Sequence, residues 1–212
     1  MSPNGDAFDR CDLFRRMAEG DYRLPEDALA AGDAGGATRY GVTQKLLDSL
    51  RAKDEAAGTS RWAQLPDSVL MLRPDIARDI AYSVFWCATG VRLFWPLSPA
   101  LALIAYDGVF QHGPDDIVPP IQREIGAKPD GVIGPATLQA AGRYGPYRAA
   151  LWLLWHRDDV IDAYAHASRL HIGDVPGLRS RLRRLSFASF ALEAELRRWN
   201  LLAPIPGESI GE

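Results

Sequence analysis

The chain has 212 residues, 47% of them hydrophobic, and a formal net charge of -3. This length and apolar content are enough for a globular protein with one large core or two small, closely packed ones. The small net charge excludes a global attraction to nucleic acid or anionic membranes, so any site for a polyanion has to be local.

Three further features limit where the chain works. Its two cysteines can form at most one disulfide, which a chain of this size does not need, so two reduced, packed thiols are expected. The N-terminal sequence MSPNGDAFDR carries acidic residues and no apolar segment, which indicates that it is not a secretory signal peptide. The apolar stretches 83–97 and 101–106 are too short to span a bilayer. We therefore expect synthesis in the cytoplasm without a signal peptide, and no membrane insertion.

The first predicted element is an amphipathic helix of about three turns. Its apolar residues recur at three-to-four spacing, namely Phe8, Cys11, Phe14, Met17 and Ala18. Asp12 and Arg15 are placed on the opposite, polar side. Gly20 is expected to end the helix, which makes Glu19 its last residue.

Residues 21–42 are punctuated by glycine and proline and are predicted to form a long loop. The loop closes in a small β-hairpin or extended segment near residues 36–43, where Thr38, Tyr40 and Val42 alternate. Thr43 is a good N-cap for a helix that continues through Leu50.

The rest of the chain reads as helical. Proline and serine signals and apolar periodicity predict helices from Pro74 to Gly90, from Ser98 and Pro99 onward, over 114–125, after a turn at 130–134, over 146–170 and over 176–199. Trp152 and Trp155 are expected to lie in the core. No strand is predicted outside residues 36–43, so the fold class is mainly α with one small β segment.

Glu19 stands out chemically because a carboxylate at a helix C-terminus faces the negative end of the helix dipole. That effect is worth about 0.3 to 1 kcal/mol, less than the roughly 1.4 kcal/mol of one pKa unit. To donate a proton near neutrality, Glu19 would also need partial burial against aromatic groups such as Tyr22, Tyr40 and Phe14. The alternative is an exposed residue at a frayed helix end.

The segment AEGDYRLPEDALAAGDAGGATRYGVTQ, residues 18–44, resembles the N-terminal signature of glycoside hydrolase family 108, the phage-lysozyme-like N-acetylmuramidases. The matching positions are Glu19, Gly20, Tyr22, Asp33, Gly35, Gly36, Thr38, Tyr40, Gly41 and Thr43. Two positions depart from the signature: Asp21 replaces a glycine and Ala34 replaces a proline. These departures indicate a divergent member.

A second segment, residues 101–141, is similar to the peptidoglycan-binding region that follows in the same family. Its matching positions are Tyr106, Asp107, Gly113, Ile121, Gln122, Gly126, Asp130, Gly131, Gly134, Pro135 and Thr137. The aromatic pair Phe85 and Trp86 agrees as well. Local structure offers another explanation for the stretch 130–137, a glycine turn followed by a capped helix start.

The resemblance implies a lysozyme-like, two-lobed helical fold. Residues 1–92 are expected to form the N-terminal catalytic lobe. Residues 93–212 are expected to form a helical, peptidoglycan-binding-like lobe, packed with the first as one globular unit.

The resemblance also implies hydrolysis of the β-1,4 bond between N-acetylmuramic acid and N-acetylglucosamine in peptidoglycan, with Glu19 as the general acid. Asp33 and Thr38 are the candidates for placing the attacking water. For Asp33 the alternative is a turn residue before Gly35 and Gly36. No cofactor and no metal are expected, since His166 and His171 lie on different helix faces.

Substrate-binding roles are predicted for Tyr22, Tyr40, Gln44 and Asp107. For Tyr40 the alternative is a packed side chain, and for Gln44 a solvated one. Asp107 either faces the cleft from the second lobe or is a buried, hydrogen-bonded aspartate at the lobe junction.

The expected partners are peptidoglycan glycan strands, with no nucleic acid. The resemblance suggests an antibacterial phage endolysin released with the help of a holin, or an effector delivered by a secretion system and matched by an immunity or inhibitor protein. Either would act in the periplasm or cell wall. A lytic transglycosylase, a non-catalytic peptidoglycan-binding module, and a nucleic-acid binder using the arginines at 179–184 remain the alternatives.

Overall fold

The computed structural model describes residues 3–19, 22–23, 37–167, 174–199 and 201–202. In chain order its α-helices are α1 Pro3–Glu19, α2 Gln44–Ala57, α3 Pro74–Ile80, α4 Pro99–His112, α5 Val118–Glu124, α6 Pro135–Tyr144, α7 Pro146–Ala167 and α8 Val175–Arg198. Three short strands, β1 Tyr22–Arg23, β2 Thr38–Arg39 and β3 Val42–Thr43, form an antiparallel sheet in that order. The predicted fold class, mainly α with a small β segment near 36–43, is confirmed. The prediction of no strand outside 36–43 is wrong, because the two residues of β1 pair with β2 and are too few to show a strand pattern in the sequence.

The helix starts predicted at Thr43 and at Ser98 and Pro99 agree with the structure because they rest on local chemistry, whereas the helix predicted over 114–125 begins only at Val118, after a turn. The Thr43 hydroxyl accepts a hydrogen bond from the Leu46 amide at 3.2 Å and caps α2. Ser98 caps α4 through the Leu101 amide in the same way, and Pro99 follows at the first helical position.

The helix predicted from Pro74 to Gly90 is interrupted. α3 ends at Ile80, and Ala81–Cys87 continue as a π-helix, in which the Ala88 amide donates to the Ser83 carbonyl five residues earlier. Gly90 then adopts φ 78° at the start of a 3₁₀ turn, Val91–Phe94. A Cβ at Gly90 would lie 3.0 Å from the Ile133 carbonyl oxygen, so a larger residue would meet backbone there.

Helix α4 is the centre of the fold. Every residue from Pro99 to Val109 is buried, which is typical of a helix that is apolar on all sides. It packs against α1, α7 and α8. The larger hydrophobic core forms around it.

The hydrophobic residues fall into two cores. The larger contains Ala7, Phe8 and Cys11 of α1 together with α4 and parts of the later helices. The smaller is built from residues between Val42 and Ile80. Helix α1 thus packs on the helices of the second half, and the boundary predicted between residues 92 and 93 stays a prediction.

Two predicted burial patterns are wrong. Met17 was placed on the apolar face of α1 but is 78% exposed, whereas Asp12 and Arg15, placed on the polar face, are buried. Both side chains make buried hydrogen bonds, as described below, although Asp12 Oδ2 has no hydrogen-bond partner among the described residues and lies 3.3 Å from Arg16 Nε. Trp155 was expected in the core but is 75% exposed. Trp152 is partly buried against the larger core, and it stacks on His156 with ring centroids 5.0 Å apart.

The remaining general expectations concern the thiols and the membrane. Cys11 and Cys87 are both free, as predicted, and burial raises the pKa of the Cys11 thiol well above its ordinary value. Within the described ranges, no helix combines the length and the apolar character that crossing a bilayer requires.

Candidate active site

Glu19 is the last residue of α1, where the sequence predicted it. It follows Arg15 by four residues and Asp12 by seven, so helical periodicity places the three Cα atoms on one face of α1. Asp12 and Arg15 are buried on that face. The side chain of Glu19 lies outside what the structure describes, and so do Asp33 and the side chain of Tyr22.

Three residues after Glu19 the chain joins the small sheet. Tyr22 pairs with Arg39 and Arg23 pairs with Thr38, in antiparallel register. On its other side Thr38 pairs with Thr43, the N-cap of α2. The sheet therefore places half-buried Thr38 beside β1, the strand that follows the end of α1.

The turn between β2 and β3 consists of Tyr40 and Gly41. Both have positive φ, 53° and 77°, as a two-residue type I′ hairpin turn requires. Glycine adopts this conformation freely, but for tyrosine it costs about 1–2 kcal/mol. The Tyr40 ring packs on the smaller core, and the Arg39 guanidinium carbon lies 5.2 Å from its centroid.

Arg15 joins α1 to this turn. Its Nη1 donates to the Tyr40 carbonyl oxygen at 2.8 Å, and its Nε donates to Asp12 Oδ1 at 2.6 Å. The guanidinium carbon lies 4.9 Å from the centroid of the Phe110 ring, in α4. Asp12 Oδ1 also accepts a bond from the Tyr106 hydroxyl at 3.0 Å. This network, the Arg15 cluster, connects α1, the hairpin and α4.

The charges in the Arg15 cluster support one another. Burial alone lowers the pKa of Arg15, but the Tyr106 hydroxyl and the bonded Asp12 carboxylate outweigh it, and the net pKa is raised. Burial, followed by the charge of Asp12, raises the pKa of Tyr106 well above its ordinary value. Arg15 is therefore charged and Tyr106 neutral at physiological pH.

Gln44 uses both ends of its amide for structure. Its Nε2 donates to Asp48 Oδ1 and to the Asp67 carbonyl, each at 2.9 Å, and its Oε1 accepts from the Val69 amide at 2.7 Å. These bonds tie the first turn of α2 to the segment that follows Pro66. Substrate binding by Gln44 stays a prediction; both Nε2 donors are already used, whereas Oε1 can accept a second hydrogen bond.

Asp107 was predicted to bind substrate, and its surroundings require a correction. Its side chain has no exposed surface, and Arg157 Nη2 and Arg181 Nη2 approach its two oxygens at 2.7 and 2.6 Å. Burial raises the pKa of Asp107, but the two arginines outweigh it and the net pKa lies below the ordinary value. Asp107 is the buried, hydrogen-bonded aspartate of the alternative, and we call these three residues the Asp107 cluster.

Asp12 and Arg15 are the residues that sequence reasoning missed. The sequence contains one indication that they share a face with the buried Phe8. The spacings are four, three and four along Phe8, Asp12, Arg15 and Glu19. That is the period of a helix face, but polar side chains there were interpreted as solvated. In the part of the chain that the structure covers, no group of three or more His, Cys, Asp or Glu residues is arranged to hold a metal ion.

The chain is mainly helical, and after the helix that ends on Glu19 it forms a small antiparallel sheet, which agrees with the lysozyme-like fold that the resemblance implies. Residues 18–113 match the model of the family glycosyl hydrolase 108. This match confirms the resemblance over that region. The family supports a glycoside hydrolase that acts on peptidoglycan.

A solved structure agrees with the fold beyond this region. That of Brucella abortus SagA matches with a TM-score of 0.67 at 24% identity, over 89% of this chain and 97% of that one. At this identity the likeness concerns the fold alone. No protein of curated function matches the chain. The peptidoglycan-binding role of the C-terminal region stays a prediction.

Proposed function

We propose that the protein is an N-acetylmuramidase, which hydrolyses the β-1,4 bond between N-acetylmuramic acid and N-acetylglucosamine with Glu19 as general acid. The observation that carries this proposal is the place of Glu19. It ends α1 on the face of the buried Asp12 and Arg15, and three residues later the chain enters the sheet that contains Thr38.

The reaction needs a protonated carboxyl group beside the glycosidic oxygen and, across the oxocarbenium-like centre, either a water whose proton a base accepts or a stabilising carboxylate. Glu19 supplies the proton in this proposal. Thr38 is the candidate for orienting the water, since its strand pairs with β1, which begins three residues after Glu19. Asp33 is proposed for the same task from the family signature alone.

Aromatic side chains provide the surface on which sugars bind. Tyr40 is half-buried at the tip of the hairpin, and the bond from Arg15 holds its backbone in place. We assign its ring, together with Tyr22, to the sugar subsites. The pairing of Tyr22 with Arg39 puts both tyrosines on neighbouring parts of the same sheet.

Peptidoglycan glycan strands are the proposed partner, in the periplasm or cell wall. Release with a holin and delivery by a secretion system are the two routes consistent with this activity, and delivery would require an inhibitor protein in the producing cell. The helical region of residues 93–212 is proposed to bind the wall polymer alongside the catalytic region.

The proposal is tested by digesting purified sacculi with the wild type and with Glu19→Gln, which keeps the shape of the side chain but removes the acid. We expect the variant to lose about 10²- to 10⁴-fold in rate, the usual contribution of a general acid. Glu55→Gln is the matched control, because Glu55 is exposed on α2. Equal solubilisation by wild type and Glu19→Gln would contradict the mechanism.

The masses of the products identify the reaction. A hydrolase leaves a reducing-end muramic acid, whereas a lytic transglycosylase gives a product lighter by one water. A wild-type protein that binds sacculi without releasing fragments would instead be a binding module.

A further inference from the structure

The Arg15 cluster performs no step in the proposed hydrolysis, yet it occupies the helix that carries the acid. The Arg15 side chain is 2% exposed and the Asp12 side chain 0%. Buried ion pairs of this kind cost much desolvation and contribute little net stability compared with apolar residues of the same volume. Net stability therefore does not explain why this ion pair lies four and seven residues before Glu19.

Arg15 bonds two acceptors that belong to different elements. One is the carboxylate of Asp12, within α1, and the other is the Tyr40 carbonyl, at the tip of the β2–β3 hairpin. A guanidinium group is planar, and its N–H donors point in fixed directions, so the two bonds together fix the hairpin relative to the helix. Phe110 of α4 supports the guanidinium at 4.9 Å.

The backbone conformation of the hairpin explains why a bond at this position matters. Tyr40 is the one non-glycine residue with positive φ among those that the structure describes. Such a conformation persists only where its surroundings impose it, and it is found preferentially at functional sites. The charged guanidinium group of Arg15 donates its hydrogen bond to the carbonyl of this same residue.

Charge balance for Asp12 does not explain Arg15. Arg16 Nε lies 3.3 Å from the other carboxylate oxygen of Asp12, and the Arg16 side chain is 56% exposed, where it is easily solvated. Asp12 therefore has a second cation nearby. The bond to the hairpin is made by Arg15.

We propose that Arg15 is a positioning residue, which holds the Tyr40 carbonyl and the Asp12 carboxylate together and so fixes the end of α1 that carries Glu19 against the hairpin that carries Thr38. This inference rests on the proposed function of Glu19. It predicts that loss of the Arg15 bonds lowers kcat more than it raises KM, because a displacement of about 1 Å between catalytic groups can cost about 10²-fold in rate.

Arg15→Lys is the decisive variant. Lysine keeps the positive charge beside Asp12, but a single ammonium group cannot reproduce the planar fork between Asp12 and Tyr40. We expect kcat on soluble glycan-strand fragments to fall about 10- to 100-fold, with KM changed less than about two-fold. Arg15→Met, which also removes the charge, should lose at least as much.

Arg73→Met is the matched control. Arg73 is 72% exposed and pairs with Asp75 on the surface, so its replacement should leave kcat and KM unchanged. A folded Arg15→Lys with wild-type kcat would overturn the inference, and so would a loss confined to KM. If Arg15→Met does not fold, the decision rests on Arg15→Lys.

Hydrogen exchange separates this inference from the proposed function. In Arg15→Lys the amides around the hairpin, such as that of Gln44, which donates to the Ala37 carbonyl at 3.1 Å, should exchange at least about ten-fold faster, while those of buried α4 keep their protection. Faster hairpin exchange together with a fully active Glu19→Gln would retain the link between Arg15 and the hairpin and refute the muramidase mechanism. Unchanged exchange and unchanged kcat in Arg15→Lys, with an inactive Glu19→Gln, would do the reverse.

Discussion

Two buried clusters, each containing both positive and negative side chains, include neighbouring residues of α4. Tyr106 belongs to the Arg15 cluster, and Asp107 is the centre of the Asp107 cluster. Consecutive residues of a helix point about 100° apart, so one residue reaches α1 and the next reaches α7 and α8. The aromatic-aspartate pair of the sequence therefore connects α4 to α1 on one side and to α7 and α8 on the other.

The two clusters differ in what they hold. The Arg15 cluster ends on the carbonyl of Tyr40, in the hairpin of the candidate site. The Asp107 cluster joins helices only: Arg157 bonds Asp107, the Gln111 side chain and the Ile104 carbonyl, all in α4. We expect changes in the first to affect catalysis and changes in the second to affect stability.

The largest expected effect on stability comes from Asp107→Asn. It leaves the wholly buried Arg157 and the nearly buried Arg181 without their shared anion, which typically costs about 3–5 kcal/mol. Urea unfolding measures the loss, and kcat per folded molecule at low temperature should stay at the wild-type value. A fall in kcat comparable to that of Arg15→Lys would show that the two clusters are not separate.

Asp48→Asn is the control for this comparison. Asp48 pairs with Arg51 while 58% of its side chain is exposed, so its replacement should change the free energy of unfolding by less than about 1 kcal/mol.

Tyr106→Phe tests the other side of α4 with a smaller change. It removes the hydroxyl that donates to Asp12 but keeps the ring, which packs against Trp86 with centroids 5.5 Å apart. We expect a loss of about 1–3 kcal/mol in the free energy of unfolding, since a buried carboxylate loses one donor. The bond from Arg15 to Tyr40 remains, so kcat should fall less than in Arg15→Lys. An equal fall would mean that the position of Asp12 controls the hairpin.

His112 adds a pH dependence on the side of the Asp107 cluster. Burial, followed by the positive charge of Arg157, lowers the pKa of His112 from 6.5 to about 3. Between these values the unfolded chain binds a proton that the folded protein does not, so stability falls as the pH is lowered through this window. The slope for one proton is at most about 1.4 kcal/mol per pH unit.

His112→Phe isolates this contribution, because phenylalanine keeps the ring that stacks on Tyr164 and cannot titrate. We expect its unfolding free energy, measured in urea from pH 7 to pH 4, to fall less steeply than that of the wild type. Identical slopes would show that the pKa of His112 is the same in the folded and the unfolded protein.

Local signals made most of the fold predictable. Thr43 and Ser98 cap their helices and Pro99 follows its cap, because these effects act within one turn. The family signature pointed to Glu19 and the hairpin. The structure adds that Thr38 pairs with both neighbouring strands.

The buried charges could not be predicted in this way. Asp12 accepts a hydrogen bond from Tyr106, 94 residues away, and Arg15 donates one to the Tyr40 carbonyl, 25 residues away. Without those partners, a charged residue in a helix is best interpreted as solvated. Asp107 was misassigned for the same reason, since α7 and α8 bring its arginines to it from 50 and 74 residues away.

Tyr40→Asn gives the smallest expected change in stability and separates the two roles of Tyr40. Asn-Gly suits a type I′ turn better than Tyr-Gly, which should stabilise the hairpin by about 1 kcal/mol. Loss of the cation–π contact to Arg39 should cost a similar amount, about 0.5–1 kcal/mol, and loss of the ring packing on the smaller core adds to this cost. The midpoint of urea unfolding should therefore fall slightly.

Kinetics then distinguish the backbone of Tyr40 from its ring. The carbonyl that accepts from Arg15 is retained in Tyr40→Asn, so kcat should stay near the wild-type value. If the ring forms part of a sugar subsite, KM for glycan-strand fragments should rise several-fold. An unchanged KM would make the ring a packing group alone, and a fall in kcat would mean that the ring, and not only the carbonyl, keeps the hairpin in place against α1.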